Sequence, residues 1–191
     1  MNSDVSLAKR PLRADAQRNY DRILEVALEV FTQSGIQASL DDIACQAGVG
    51  PGTLYRHFPN RECLLAAALD ESWRGLARTS DDLMTATDAG RALRSWLIEI
   101  SHHMGVYGGL PDSVAKAFSD DQSPLAPRCS LLGKSTSGLL ARAQDAGAVR
   151  QDVTADDLLT IANSLAWATD KNGSSQDDVA RLLDIFLAGL R

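Results

Sequence analysis

Apolar residues recur at three- and four-residue spacing along almost the whole 191-residue chain, and no stretch shows the strict alternation of a half-buried strand. That periodicity favours helices and little else. Ile23, Val26, Ala27, Val30 and Phe31 share one face of a helix over 14–34, and Gly35 stands where a helix C-terminal glycine belongs. Ser39, followed by Leu40, Asp41 and Asp42, has the form of a capping box and opens a short second helix through Ala47. Gly48-Val49-Gly50 turns the chain, and Pro51 suits the first position of a third helix that runs to Phe58. Asn60 caps a fourth, whose stripe Leu65, Leu69, Trp73, Leu76 and Leu83 reads as one rod of about six turns.

Five further helices are expected. Leu93, Trp96, Leu97, Ile100, Met104 and Tyr107 mark the fifth, stopped by Gly108-Gly109 and Pro111, and a short sixth follows. Ser123-Pro124 reads as cap and first residue of a seventh carrying Leu131, Leu132, Leu139 and Leu140. Thr154 with Asp157 opens an eighth, and after Asn172-Gly173 a ninth carries Val179, Leu182, Leu183, Phe186, Leu187 and Leu190. The fold class is therefore all-α with about nine helices. Composition agrees, since 27 Ala and 26 Leu stand against 16 Ile plus Val.

No apolar run approaches the roughly 18–20 uncharged residues that cross a bilayer, and the first thirteen residues lack the apolar centre of a secretory signal, so a cytoplasmic protein is expected. Cys45, Cys63 and Cys129 are an odd number without metal-ligand spacing, and the neighbouring His102 and His103 point about 100° apart on a helix. No metal and no cofactor are expected. The formal charge of −6 argues, at face value, against nucleic acid. Its distribution does not. Lys9, Arg10, Arg13, Arg18 and Arg22 face only Asp15 and Asp21 over 9–22, whereas residues 63–191 hold 12 basic against 17 acidic side chains.

Two short helices joined by a tight glycine turn, the second opened by Pro51-Gly52-Thr53, form a helix-turn-helix signature. The stretch SLDDIACQAGVGPGTLYRHFPNRECLL, from Ser39 to Leu65, closely resembles the DNA-binding domain of the TetR family of transcriptional regulators. The resemblance covers about residues 14–66, and Asp120 to Asp157 looks like the C-terminal domain of the SbtR-like subgroup. It implies a homodimeric repressor, released from double-stranded operator DNA by a small-molecule effector. Residues 1–13 would be a flexible basic arm, 14–66 the DNA-binding domain, and 67–191 the effector-binding and dimerisation domain.

The residues suit those roles. Gly50, Pro51 and Gly52 let backbone approach DNA at the start of a recognition helix. Tyr55, His57 and Arg61 are spaced for phosphate contact, a role the resemblance implies for Tyr55 and Arg61; for Tyr55 and His57 the alternative is packing between the short helices. No Gln, Asn or Arg stands at the helix start, which leaves the Thr53 methyl, with Ser39 and Arg56, as candidate base readers, while Arg10 and Arg13 could reach the minor groove. On the fifth helix Trp96, Ile100, His103 and Tyr107 share a face that mixes bulk with polar tips, as an effector pocket requires. Trp73, Phe118, Asn163 and Trp167 are further candidates, and taken singly each of these side chains fits a plain core better than a pocket. The resemblance implies a dimer interface on the last two helices, through Leu158, Ile161, Leu165, Val179, Leu182, Leu183, Phe186 and Leu190. Effector binding between helices four and eight would be relayed along the fourth helix. Two competing classes are a redox-sensing regulator using cysteine and a helical enzyme. No nucleophile-base or paired-acid pattern supports the enzyme, and Cys45 reads as buried core.

Overall fold

The computed structural model describes residues 9–172 and 175–190, with side chains except at 9–13, 169–172 and 176. Among the described residues every regular element is an α-helix: α1 (Lys9–Ser34), α2 (Leu40–Gln46), α3 (Pro51–His57), α4 (Arg61–Ala68), α5 (Asp70–Met84), α6 (Ala89–Gly105), α7 (Leu110–Ala117), α8 (Ala126–Asp145), α9 (Ala155–Asn172) and α10 (Gln176–Ala188). They form two compact units, Met1–Leu69 and Asp70–Arg191. No helix among the described residues is long and apolar enough to cross a membrane.

In the first unit, Ile23, Ala27 and Phe31 of α1 meet Ile36, Ile43 and Ala44, Leu54 and Phe58, and Leu64 and Leu65 in a core with almost no solvent exposure. Helices of seven residues are too short to persist alone, so α2 and α3 depend on this burial. Local chemistry fixes their ends. The Ser39 hydroxyl accepts the Asp42 N–H at 3.2 Å, and the Asn60 side chain accepts the Cys63 N–H at 2.8 Å. Gly48 adopts φ +70°, which lets its own N–H reach Cys45 O and the Val49 N–H reach Ala44 O, both at 3.0 Å. This paired closure ends α2 and aims the chain at α3, a conformation that a side chain at position 48 would strain.

The second unit is built around α6. Leu93, Trp96, Leu97, Ile100 and Met104 are buried, as are Ala92, Ser101 and His103, because α5, α8, α9 and α10 all pack against this helix, while Arg91, Ser95, Glu99 and His102 form one exposed line. Close approach to α9 uses small residues: Ala162 and Ala166 are fully buried, and Ser101 Oγ lies 2.8 Å from Leu97 O and 3.2 Å from Ala162 O. Trp96 donates its indole N–H to Thr136 Oγ1 on α8 at 2.9 Å, so this fully buried indole carries no unpaired group. Arg142 reaches across to the carbonyls of Leu83 and Ala86 at 3.0 and 2.6 Å, covering the free end of α5.

Four boundaries differ from the sequence expectation. The predicted fourth rod is two helices: Leu69 leaves helical geometry at φ −88°, ψ 0°, and bonds back to Leu65 O, which accounts for ten helices in place of nine. Helix α1 begins at Lys9, so residues 9–13, assigned to an arm, form its opening turns; residues 1–8 and the Arg10 and Arg13 side chains lie outside the described residues. Ser123 does not cap α8 directly. Its hydroxyl accepts the Leu125 N–H at 3.3 Å, and the helix opens two residues later with Pro127 in its first turn. Pro111 opens α7 rather than merely ending α6. Cys45, expected in the core, is exposed, because Ile43 and Ala44 take the inward face of the short α2.

Replacing Thr136 by Val keeps the volume and leaves the Trp96 N–H without an acceptor. Urea unfolding is expected to show a loss of about 1–3 kcal/mol at unchanged m value.

Candidate nucleic-acid interface and effector site

The start of α3 is bare. Gly50 is the N-cap, in extended geometry with no side-chain capping bond, and Pro51 follows in the first turn. A Cβ added at Gly50 or Gly52 would meet nothing within 4 Å, and neither residue has a positive φ. Nothing within the chain calls for glycine at either position. A seven-residue helix with small residues at its tip suits a major groove.

The side chains that follow divide into two sets. Tyr55 points outward and is 45% exposed. Arg56 folds along its own helix, donating Nε–H to Gly52 O at 3.1 Å and Nη2–H to Thr53 Oγ1 at 3.0 Å, which turns the Thr53 methyl away from the guanidinium. Ser39 is exposed while its hydroxyl caps α2. Gly50, Pro51 and Gly52 are exposed like Ser39, Tyr55 and Arg56, and Thr53 is half-buried. His57 and Arg61 do other work. The His57 ring lies 5.8 Å from the Tyr20 ring, edge to face, and Tyr20 stacks on Phe58 at 5.0 Å. Arg61 donates Nη1–H groups to Ile36 O at 2.6 Å and Ala38 O at 2.5 Å, clamping the loop that leads into α2. Its guanidinium therefore holds the motif together from within. Tyr20, absent from the sequence reading, sits on α1 in line with Ala27 and Phe31 at i+7 and i+11, so the apolar periodicity itself could have found it. On the same helix, Arg18 pairs with Asp15, and Arg22 pairs with Glu25 at 2.8 Å, so the basic run is partly neutralised along its own helix.

In the second unit, Trp73, Trp96, Ile100, His103 and Tyr107 are all buried. Trp73 and His103 stand edge to face at 4.9 Å, His103 and Tyr107 at 6.3 Å, and His103 Nδ1 is 3.2 Å from Ser72 Oγ. Burial, with a smaller contribution from His102, pulls the His103 pKa down to about 4, so the ring is neutral near pH 7. Phe118 and Trp167 do not join this cluster; they are 43% and 46% exposed. Asn163 donates to Pro111 O at 3.1 Å and lines, with Phe118, a separate groove of about 470 Å³ between α7 and α9.

The expected dimer residues also divide. Leu158, Val179, Leu183 and Leu190 are buried within the unit, because their spacing turns them toward the core. Ile161, Leu165 and Phe186 are half-buried, and Leu182 is exposed. Ile185, which the sequence reading omitted, is 63% exposed, three residues from Leu182 on the outer face of α10. Its signal was a second apolar line on a helix already credited with one. Among the described residues no group of three or more His, Cys, Asp or Glu could hold a metal ion. Cys129 is buried and its thiol pKa is pushed up to about 11, which keeps it protonated and unreactive near neutral pH.

Residues 23–68 match the family described as bacterial regulatory proteins, tetR family, and residues 88–191 match the SbtR-like transcriptional regulator C-terminal domain. The HTH-type transcriptional repressor KstR of Mycolicibacterium smegmatis is 27% identical over 194 aligned residues, spanning 97% of this chain and 93% of the repressor. A TetR transcriptional regulator of Streptomyces coelicolor is 31% identical with a TM-score of 0.60, covering 90% of this chain and 98% of that one. A TetR transcription regulatory protein from Mycobacterium vanbaalenii is likewise 31% identical, with a TM-score of 0.55 and coverage of 95% and 99%.

Gly52→Ala removes a helix-interior glycine without a clash, so stability is expected to rise by up to about 1 kcal/mol while DNA binding weakens. Calorimetric melting and a DNA titration of the same sample check both halves; unchanged binding would mean that nothing approaches position 52. Unfolded, the His103 ring takes up a proton near pH 6.5, and folded only near pH 4. Between those values the unfolded chain binds more protons, so His103 withdraws stability as pH falls through the window. Urea unfolding from pH 7 to 4 is expected to show a flatter pH dependence for His103→Phe than for the parent chain.

Proposed function

The chain belongs to the TetR family of bacterial transcriptional regulators, and from that premise we propose that it is a homodimeric repressor that leaves its operator when a small molecule enters the second unit. It is a helix-turn-helix DNA-binding regulator rather than an enzyme. The observation that carries the DNA-binding assignment is the bare end of α3, where two glycines have no intramolecular reason to be glycine. In this reading Gly50, Pro51 and Gly52 admit the DNA backbone, Tyr55 contacts a phosphate, and Thr53, positioned by Arg56, offers its methyl to a thymine. Ser39 is exposed too. Residues 14–66 are assigned to DNA binding and 67–191 to effector response and dimerisation.

Two half-sites about one helical turn apart, roughly 34–36 Å, require two recognition helices related by a two-fold axis. The surface best suited to create that axis is the outer face of α9 and α10, where Trp167, Leu182 and Ile185 are exposed beside half-buried Phe186. An effector acts by binding one spacing of the recognition helices better than the other; equal affinity for both would shift nothing. The work of such a regulator places it with the chromosome, in the cytoplasm.

Selection of bound fragments from a genomic DNA pool is expected to return a palindromic operator. The double substitution Leu182→Glu, Ile185→Glu, on side chains exposed in the single chain, is expected to halve the solution mass and weaken operator binding at least tenfold. A variant that stays dimeric would place the interface elsewhere.

A further inference from the structure

We infer that the effector site is organised by two buried ring nitrogens, Trp73 Nε1 and His103 Nε2, and that it takes a neutral molecule with an apolar body and a hydrogen-bond-accepting oxygen, such as a ketone or alcohol, in preference to a carboxylate. The inference rests on the reading of the second unit as the effector-responsive part of the chain. Buried polar groups are paired in the great majority of cases, and an unpaired one marks a place with a reason to be so. Here two stand side by side. Trp73 on α5 and His103 on α6 are 3% and 8% exposed, their rings are 4.9 Å apart, and neither nitrogen has a hydrogen-bond partner among the described residues. Elsewhere in the same unit the Trp96 N–H is satisfied by Thr136, so the fold does supply acceptors to buried indoles.

The chemistry of the two groups sets the class of ligand. An indole nitrogen only donates. His103 is neutral at physiological pH, and its Nδ1 lies 3.2 Å from Ser72 Oγ, a contact in which either group can donate; the proposed site uses the tautomer in which Ser72 donates and Nε2 carries the ring proton. Two neutral donors match the two lone pairs of one carbonyl or hydroxyl oxygen. A carboxylate would surrender its hydration to a place without a free cation, because the basic groups near the start of α5 are committed: Arg74 and Arg128 both pair with Asp70. The surroundings favour an apolar body, with Leu76 buried on α5, Ile100 and Met104 buried on α6, and Tyr107 buried in the turn after α6 with its ring 6.3 Å from that of His103.

The test uses the full chain and three probes of equal carbon number, 2-decanone, 1-decanol and decanoate, titrated by calorimetry and followed by the indole proton resonances of the three tryptophans. The two neutral probes are expected to bind at least tenfold tighter than decanoate and to move the Trp73 indole proton downfield. Trp73→Phe and His103→Phe, which keep a ring in place, are each expected to weaken that binding five- to tenfold. Equal or tighter binding of decanoate overturns the inference, as does binding of the neutral probes that neither substitution changes. Should a variant fail to fold, the Trp73 resonance of the unmodified protein decides: no shift with either neutral probe overturns the inference. Operator release is read in parallel. Probes that bind as expected but leave the operator complex intact would sustain the site and remove the effector-released reading.

Discussion

Everything in the second unit depends on burying α6 over most of its surface, with only the line of Arg91, Ser95, Glu99 and His102 left to solvent. A helix so enclosed has to be apolar around most of its circumference, and each polar atom it carries has to find a partner inside the protein. The indole of Trp96 finds Thr136, and the hydroxyl of Ser101 lies against carbonyls of its own helix and of α9. Small residues on α9 bring that helix close enough for the last contact, and Arg142 covers the end of α5 that would otherwise expose bare carbonyls. Against this background the unpaired nitrogens of Trp73 and His103 stand out because they lie side by side, whereas the other buried unpaired atom among the described residues, Asn163 Oδ1, lies on α9.

The first unit solves a different problem. Two seven-residue helices have little stability of their own, and they must hold a fixed mutual geometry while leaving one end uncovered. The αL turn at Gly48 sets the angle, the apolar core supplies the burial, and Arg61 ties the preceding loop to α4 through two carbonyls. The stack of Tyr20, His57 and Phe58 braces the end of α3. Aromatic and basic residues that look alike in the sequence thus divide into those that build the platform and those, Tyr55 foremost, that stand on it.

The net charge takes its meaning from the same division. The acidic excess lies mainly in residues 63–191, and the first 62 residues hold seven basic against eight acidic side chains. Even there, Arg18 and Arg22 are matched on α1 by Asp15 and Glu25. A dimer carries −12 and repels DNA at long range, so affinity rests on a few short contacts made by an otherwise anionic molecule.

Periodicity, caps and glycines are local properties, and the sequence alone determined what depends on them: an all-helical chain, the turn at Gly48-Val49-Gly50, the capping residues Ser39, Asn60 and Thr154, and a helix-turn-helix with glycines at its tip. Side-chain commitment is not local. Whether Arg61 faces a phosphate or the carbonyls of Ile36 and Ala38 depends on a loop more than twenty residues away in the chain. An apolar line on α9 or α10 has the same spacing whether it faces the core, as Leu158 and Leu183 do, or solvent, as Leu182 and Ile185 do. The break at Leu69 leaves the apolar stripe intact, so no change of residue type announced it. Only the tertiary structure decided these points, because each turns on which surface a side chain meets, and one-dimensional spacing carries no record of that.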